Sequence, residues 1–213
     1  MSETVWDRQY ATGIGLRWWP EGDLTRFLGS RHWVGQHDPH GLNGQSAIDL
    51  GCGTGRNAWA LRESGFETHA SDASEEALRV ARQYLINVRR LDHVFFHYVA
   101  LPTLRPFQDA TVELIVDVQC LQHLAWSVQA TAYTEIMRVL KAGGVFFMMT
   151  WHDGDSDAIY RGLYPELRQN SARNVTTELE QVGFTIEAMN LVTRSYQSGR
   201  YTAEWDVIEA VKR

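Results

Sequence analysis

The sequence predicts a doubly wound α/β fold built on a mostly parallel sheet. Segments with strand and helix patterns alternate from Ser46 onward, as they do in folds of this class. Two nearly continuous apolar runs, Val112–Val118 and Val145–Trp151, suit parallel strands that are covered on both faces. Two more strand-like runs, Phe184–Val192 and Tyr201–Val211, then predict a hairpin. We therefore expect five β-α steps followed by a hairpin.

Three shorter strand patterns lie in the first half of the chain: Ala47–Leu50, Phe66–Ala70 and Val94–Val99. A helix over Gly55–Ser64 is expected to end before Gly65. Ser74 is the predicted N-cap of the next helix, because its hydroxyl can accept a backbone N–H and Glu75 suits the positive helix end. Apolar residues at helical spacing over residues 77–88 predict the buried face of that helix.

Two more helices are predicted in the second half of the chain. Ser127 would cap the first of them, Lys141 would lie in its last turn and Gly143–Gly144 would end it. Thr177 and Glu180 have the spacing of a capping box, which predicts the start of the second helix.

Residues 1–45 differ in composition from the rest and hold four of the eight tryptophans: Trp6, Trp18, Trp19 and Trp33. Helices are expected near Glu3–Tyr10 and Glu21–Trp33, and a loop over Gly35–Gln45. We interpret residues 1–45 as a helical cap or lid on a core domain of residues 46–213. A packing appendage without a role at the site stays open as the alternative.

Composition excludes several classes of protein. The 213 residues carry 20 Lys and Arg against 26 Asp and Glu, for a net charge of −6, and 44% are hydrophobic. Ample apolar content excludes a disordered chain, and the lack of a basic face disfavours nucleic acid or a polybasic membrane anchor. No apolar stretch approaches the roughly 18 residues of a membrane helix, and Cys52 and Cys120 cannot build a disulfide framework. We expect a soluble, cytoplasmic protein that binds neither nucleic acid nor membranes, with its oligomeric state left open.

A glycine-rich turn after the first strand carries the strongest chemical signal. Asp49 ends the strand, and glycines at positions 51, 53 and 55 follow. Because glycine has no Cβ, the backbone can bend sharply there and approach a ligand closely. A dinucleotide pyrophosphate motif needs G-x-G-x-x-G, whereas position 56 is Arg, so the spacing disfavours an NAD-dependent oxidoreductase. Asp49 could meet a cationic group of a different ligand.

An acidic residue, Asp72, ends the second predicted strand, 17 positions after Gly55. In doubly wound folds, a carboxylate about 20 residues beyond the glycine turn binds the hydroxyls of a ribose. The alternative is a residue that only starts the next helix, but Ser74 is already available for that place. The pattern therefore favours a ligand that contains a nucleoside.

Four segments, AIDLGCGTGRN, HASDASEEAL, ELIVDVQCLQHL and EIMRVLKAGGVFFMMTWHD, resemble successive motifs of class I S-adenosylmethionine (SAM)-dependent methyltransferases. The resemblance covers residues 46–151 and points to small-molecule enzymes of the methyltransferase-11 type. It implies a Rossmann-like seven-stranded sheet with an antiparallel last strand, and SAM as the cofactor. The implied reaction is an in-line transfer of the SAM methyl group to an oxygen or nitrogen of a small molecule.

The resemblance also implies which residues contact SAM. They are Asp49, Gly51, Cys52 and Gly53 at the methionine end, Asp72 at the ribose, Ala73 at the adenine, and Asp117 and Val118 near the sulfonium. From the aromatic residues of the cap we add Trp6 and Tyr10, which would cover SAM. The turn Asp117–Cys120 lacks the Asp/Asn-Pro-Pro-aromatic pattern of enzymes that methylate amides or exocyclic amines, which disfavours such macromolecular acceptors.

A hydroxyl acceptor would benefit from a general base. Ligands of doubly wound sheets bind beyond the carboxyl ends of the strands, which makes His123, His152 and Asp153 the candidates. A packing role for His123, and a solvated loop for the other two, stay open as alternatives.

The remaining polar residues give weaker signals. Neither the His32, His37 and His40 cluster nor the cluster from His152 to Asp157 has the ligand spacing of a metal site, so none is expected there. A catalytically silent protein that binds SAM as a partner or regulator stays open as the alternative function.

Overall fold

The structure, a computed structural model, describes residues 5–13, 16–31, 33, 41–152, 175–196 and 201–213. The helices of this part of the chain are α1 (Val5–Thr12), α2 (Gly22–Ser30), α3 (Arg56–Glu63), α4 (Glu75–Asn87), α5 (Trp126–Val139) and α6 (Val175–Gln181). The strands are β1 (Ser46–Leu50), β2 (Glu67–Asp72), β3 (Val94–Tyr98), β4 (Val112–Val118), β5 (Leu140–Trp151), β6 (Phe184–Tyr196) and β7 (Tyr201–Lys212).

The seven strands form one sheet in the order β3-β2-β1-β4-β5-β7-β6. Strands β1, β2 and β3 are parallel, whereas β7 runs antiparallel to both β5 and β6. The predicted doubly wound, mostly parallel sheet with an antiparallel last strand is therefore confirmed. Residues 99–111 form turns and no helix, so the described part of the chain makes four β-α steps and the predicted number of five is wrong.

The chain divides into two compact units. The first comprises residues 1–101 and 111–116, and the second comprises residues 102–110 and 117–213. Helices α1 and α2 occupy the region for which a cap was expected, and the role of residues 1–45 as a lid stays a prediction.

In the first unit, α4 packs on β2 through a stripe of small and aliphatic side chains. Ser74 caps this helix as predicted, because its hydroxyl accepts the Ala77 N–H at 3.0 Å. The buried cluster around the stripe contains Cys52, Ala58, Ala70, Leu78, Ala81, Leu85 and Val94. The predicted apolar face is thus confirmed.

In the second unit, every residue of β5 from Gly144 to Trp151 is buried, as the continuous apolar run predicts. The predicted start of α5 is wrong, since Ala125 and not Ser127 precedes the first helical residue. The Ala125 carbonyl accepts the N–H groups of Val128 and Gln129 at 2.9 and 3.1 Å. The helix therefore begins without a side-chain cap.

The predicted end of α5 is also wrong, because the helix stops at Val139 and β5 begins at Leu140. Lys212 of β7 donates from Nζ to the carbonyls of Met137 and Leu140 at 2.8 and 2.7 Å. A lysine from a distant strand thus donates the hydrogen bonds that carbonyl groups at this helix end would otherwise receive from a glycine cap.

Helix α6 already includes Val175 and Thr176, so Thr177 lies within it and the predicted capping box is wrong. None of the described helices is both long and apolar enough to cross a membrane.

Candidate functional site

The glycine turn between β1 and α3 brings bare backbone to the carboxyl end of β1. Gly53 and Gly55 have φ values of +55° and +78°, a left-handed conformation that residues other than glycine disfavour. The Cys52 N–H donates to the Ser71 carbonyl at 2.9 Å, which ties the turn to β2. A Cβ on Gly55 would lie 3.0 Å from the Cβ of Ala81, so the glycine also lets α3 pack closely on α4.

Asp72 braces this turn with both of its carboxylate oxygens. Oδ2 accepts the Gly53 N–H at 3.0 Å, and Oδ1 accepts the Ser74 N–H at 2.9 Å. Burial raises the pKa of Asp72, and the backbone N–H donors oppose that rise. An ionised carboxylate has about four acceptor positions, so capacity remains for ligand hydroxyls. Starting α4 and binding a ligand are therefore compatible roles for Asp72.

Helix α1 lies against the turn and the start of α4. The Tyr10 hydroxyl oxygen is 2.5 Å from the position that a Cβ on Gly53 would take. Ser74 Oγ donates to Asp7 Oδ1 at 2.6 Å, which fixes α1 to the same place. Trp6 is half-buried on α1. Tyr10 thus lies directly over the glycine turn, and its contact with SAM stays a prediction.

Replacing Gly53 by alanine is expected to weaken SAM binding at least tenfold. The added methyl group would displace the Tyr10 hydroxyl, and the left-handed backbone adds strain of about 1–2 kcal/mol. Gly44→Ala is the matched control, because Gly44 has a φ of +75° and no atom within 4 Å of an added Cβ. Calorimetric titration with SAM checks the difference, and equal SAM affinity in the two variants would contradict it.

A second set of contacts fastens the segment before α2 to the turn. Thr54 Oγ1 donates to the Arg17 carbonyl at 2.5 Å, and Arg56 Nη1 donates to the Trp19 carbonyl at 2.9 Å. The Glu21 carboxylate lies 3.9 Å from Arg56 Nη2. Burial lowers the pKa of Arg56, and the charge of Glu21 opposes this shift. These contacts join residues 37 positions apart, and local sequence patterns do not predict them.

In the second unit, Asp117 lies fully buried at the carboxyl end of β4. Its Oδ1 accepts the N–H groups of Cys120 and Leu121 at 2.8 and 3.2 Å. Gln119 has a φ of +65°, and its N–H donates to the Met149 carbonyl at 2.9 Å, so the turn after β4 is held firmly. Within the described residues, Asp117 Oδ2 has no hydrogen-bond partner. Burial raises the pKa of Asp117 to about 7, and a cation bound here would favour the ionised form.

Asp117 is expected to make the free energy of unfolding fall as the pH rises from about 4 to about 7. In the folded protein Asp117 keeps its proton until the pH approaches its raised pKa of about 7, whereas in the unfolded chain it loses the proton near the ordinary pKa of an aspartate. Asp117→Asn should remove this pH dependence, so its free energy of unfolding should rise by about 2–4 kcal/mol relative to that of the wild type between pH 4 and pH 8. Urea unfolding at several pH values measures it. Asp109→Asn is the exposed control, and an equal pH dependence in the wild type and Asp117→Asn would contradict the expectation.

His123 follows β4 on a short 3-10 helix, Leu121–His123, and packs against the end of β5. Its ring lies edge-on to Trp151, with 5.0 Å between the ring centroids. Gln122 Oε1 accepts the backbone N–H of Trp151 at 3.0 Å, which joins the two elements. Burial lowers the pKa of His123 to about 4, so the ring is neutral at physiological pH. These contacts favour the packing role that the sequence left open.

His152 follows β5 directly and is paired with a carboxylate that sequence analysis missed. His152 Nδ1 lies 2.9 Å from Oδ1 of Asp206, a residue of β7 that is only 1% exposed. The side chain of His152 is 36% exposed, so part of the ring remains open to a ligand. An acidic residue inside the apolar run Trp205–Ile208 is the signal that could have identified Asp206.

The predicted site residues are distributed over both units. The first unit contains Trp6, Tyr10, Asp49, Gly51, Cys52, Gly53, Asp72 and Ala73, and the second contains Asp117, Val118, His123 and His152. The remaining candidate base, Asp153, and the polar clusters considered for metal lie outside the described residues, except for His152.

Comparison with known proteins gives independent support for a methyltransferase fold. A family model described as a methyltransferase domain matches residues 47–144. The chain is 28% identical over 146 residues to a ubiquinone biosynthesis O-methyltransferase of Idiomarina loihiensis, covering 65% of this chain and 57% of the relative. It is 24% identical over 155 residues to a tRNA N(3)-methylcytidine methyltransferase of Schizosaccharomyces pombe, covering 67% and 47%. The chain thus spans about half the length of the curated relatives it matches.

A solved structure of a proposed methyltransferase from Bacillus halodurans has the same fold. Its TM-score is 0.72 at 18% identity, and the match covers 90% of this chain and 99% of that one. The family model spans the glycine turn, Asp72 and Asp117, which are the positions on which the sequence resemblance rests. The family-model match over residues 47–144, the relatives named as methyltransferases and the seven-stranded mixed sheet together support a class I SAM-dependent methyltransferase.

Proposed function

We propose that this chain transfers the methyl group of SAM to a hydroxyl oxygen of a small molecule. The observation that carries the proposal is the pairing of His152 with the buried carboxylate of Asp206. A hydroxyl nucleophile benefits from a positioned base, whereas an unprotonated amine does not need one. The relative named as an O-methyltransferase supports oxygen as the acceptor atom.

The residues present fit SAM as the methyl donor. In the first unit, the spare acceptor capacity of Asp72 suits ribose hydroxyls, and the exposed backbone at Gly53 suits a close-lying ligand. In the second unit, the buried Oδ2 of Asp117 suits a cationic group. The proposed contacts of Asp49, Ala73 and the other predicted residues follow from the family resemblance.

Proton removal from the acceptor would be the task of His152. Bound SAM supplies a methyl group that its sulfonium charge has already activated. His152 Nδ1 lies 2.9 Å from Asp206 Oδ1, and an ionised Asp206 would accept the Nδ1–H and so fix the tautomer whose Nε2 carries a lone pair. Nε2 would then take the proton of the acceptor hydroxyl, which makes the acceptor oxygen a better nucleophile. The buried carboxylate of Asp206 would stabilise the imidazolium that forms.

A small-molecule acceptor is favoured over tRNA, although one relative is named as a tRNA methyltransferase. The chain carries a net charge of −6, whereas proteins that bind nucleic acid neutralise phosphates with clustered lysine and arginine. A protein that binds SAM without methyl transfer is the competing function, and the His152–Asp206 pair argues against it.

Two measurements test the proposed function in sequence. Calorimetry should show binding of SAM and of its demethylated product, S-adenosylhomocysteine, but not of NAD. Methyl transfer from labelled SAM is then measured with a panel of phenols, catechols and aliphatic alcohols, with matched amines and unmodified tRNA as controls. Transfer to hydroxyls supports the proposal. Failure to bind SAM, or transfer to amines or tRNA alone, would overturn it.

A further inference from the structure

Two histidines lie on the adjacent strands β2 and β3, and neither is among the residues proposed for methyl transfer. The register places His69 opposite Phe95 and Ser71 opposite His97, so the two histidines are diagonal neighbours on adjacent strands. Nδ1 of His69 is 3.0 Å from Nε2 of His97. The two rings thus share one proton in an N–H···N hydrogen bond whose donor depends on the tautomer, and a metal cation could take the place of that proton.

We infer that His69 and His97 form a binding site for a divalent transition-metal ion, with Ni²⁺ and Cu²⁺ as the best-fitting ions. Imidazole nitrogen is a preferred ligand of these ions. The inference is independent of the proposed methyl transfer, because neither histidine belongs to the cofactor or base residues described above.

The separation of the two nitrogens favours one coordination geometry. With metal–nitrogen bonds of about 2.05 Å, a separation of 3.0 Å corresponds to an angle of about 94° at the metal. This angle matches adjacent positions of a square-planar or octahedral ion, whereas a tetrahedral ion requires about 109°. The pair therefore suits Cu²⁺ and Ni²⁺ better than tetrahedral Zn²⁺.

A neighbouring carboxylate supports the required tautomer of His69. Glu67 Oε1 lies 3.8 Å from His69 Nε2, the ring nitrogen that faces away from His97. The negative charge favours a proton on Nε2, which leaves the lone pair on Nδ1 for a metal. His97 exposes its Nε2 lone pair when its ring proton moves to Nδ1, and this shift releases no net proton.

The surroundings keep both rings neutral and leave the His69 side chain 20% exposed. Burial lowers the pKa of His69 to about 4, with His97 adding to the shift, and burial also lowers the pKa of His97. The ring of Phe95 stacks on His69 at 5.5 Å between centroids and is itself 45% exposed, so the pair lies near solvent. Across the described residues, no cluster of three or more potential ligands includes this pair, so water completes the coordination and the ion exchanges readily.

The test is a titration of tag-free protein with NiCl₂, followed by calorimetry in a buffer that does not chelate metals. The wild type should bind Ni²⁺ at least tenfold more tightly than His69→Gln and His97→Gln. His93→Asn is the matched control, because it removes a histidine next to β3 at a φ of +56°, which Asn tolerates, and it should bind Ni²⁺ as the wild type does. Equal Ni²⁺ affinity in the wild type and both glutamine variants would overturn the inference.

A measurement on the wild type alone covers the case in which a glutamine variant fails to fold. Substoichiometric Cu²⁺ is paramagnetic and should broaden the amide signals of residues 67–72 and 94–98 before others in the described part of the chain. EDTA should restore these signals. Broadening that leaves these two strands unaffected would contradict the site directly.

Discussion

Replacing His152 by alanine is expected to lower the kcat for methyl transfer to a hydroxyl about 10²–10⁴-fold, the usual size of a general-base effect. The affinity for SAM should change less than twofold, because the proposed task of His152 is to take a proton from the acceptor. Asp206→Asn should lower kcat at least tenfold, since an amide cannot stabilise the imidazolium as the carboxylate does. The double variant should be little worse than His152→Ala alone, because the two residues act as a unit.

His123→Ala provides the comparison for this experiment. The His123 ring packs on Trp151 and has a pKa lowered to about 4, so its removal should cost less than tenfold in kcat while lowering the melting temperature. Acceptors with more acidic hydroxyls should be less sensitive to His152→Ala, because they need less help in losing a proton. A loss under tenfold for His152→Ala, or a larger loss for His123→Ala, would assign the base elsewhere.

Replacing Asp72 by alanine is expected to weaken SAM binding at least 100-fold. The carboxylate accepts hydrogen bonds from Gly53 and Ser74 and is proposed to accept those of the ribose as well. Hydrogen bonds to charged groups each contribute about 1.5–3 kcal/mol, so losing two of them to the ligand accounts for this factor. Calorimetric titration with SAM and S-adenosylhomocysteine measures the loss.

An altered ligand separates the two roles of Asp72, which are to bind the ribose hydroxyls and to hold the glycine turn. An S-adenosylhomocysteine analogue without the ribose hydroxyls should bind the wild type much more weakly than the parent compound. It should bind Asp72→Ala about as well as the parent does, because the partner of those hydroxyls is already missing. Glu75→Gln, next to the N-cap of α4, is the control. A full penalty for the analogue in Asp72→Ala would restrict Asp72 to its structural role.

Features set by neighbouring residues could be predicted from the sequence. The turn at Gly53, the Ser74 cap and the buried run of β5 each depend on contacts within a short stretch or on a repeating apolar pattern. The position of Asp72 at the end of β2 could be predicted too, because its spacing from the glycine turn reflects one β-α unit.

Features set by distant residues could not be predicted in the same way. His152 and Asp206 are 54 positions apart and meet only because β7 pairs with β5. The end of α5 was missed for the same reason, since Lys212 of β7 satisfies its last carbonyls. The sequence resemblance implied that β7 is antiparallel, but it did not supply the register that decides which side chains meet.

Strand β7 follows β5 and β6 in the chain and yet lies between them. Until β7 has left the ribosome, β5 and β6 each present an edge of unpaired backbone groups, a known starting point for aggregation. The 61 residues that follow Trp151, up to Lys212, take roughly 3–12 s to synthesise at about 5–20 residues per second. Nascent chains are therefore exposed to misassembly for seconds, and slower translation of this stretch should increase their dependence on chaperones.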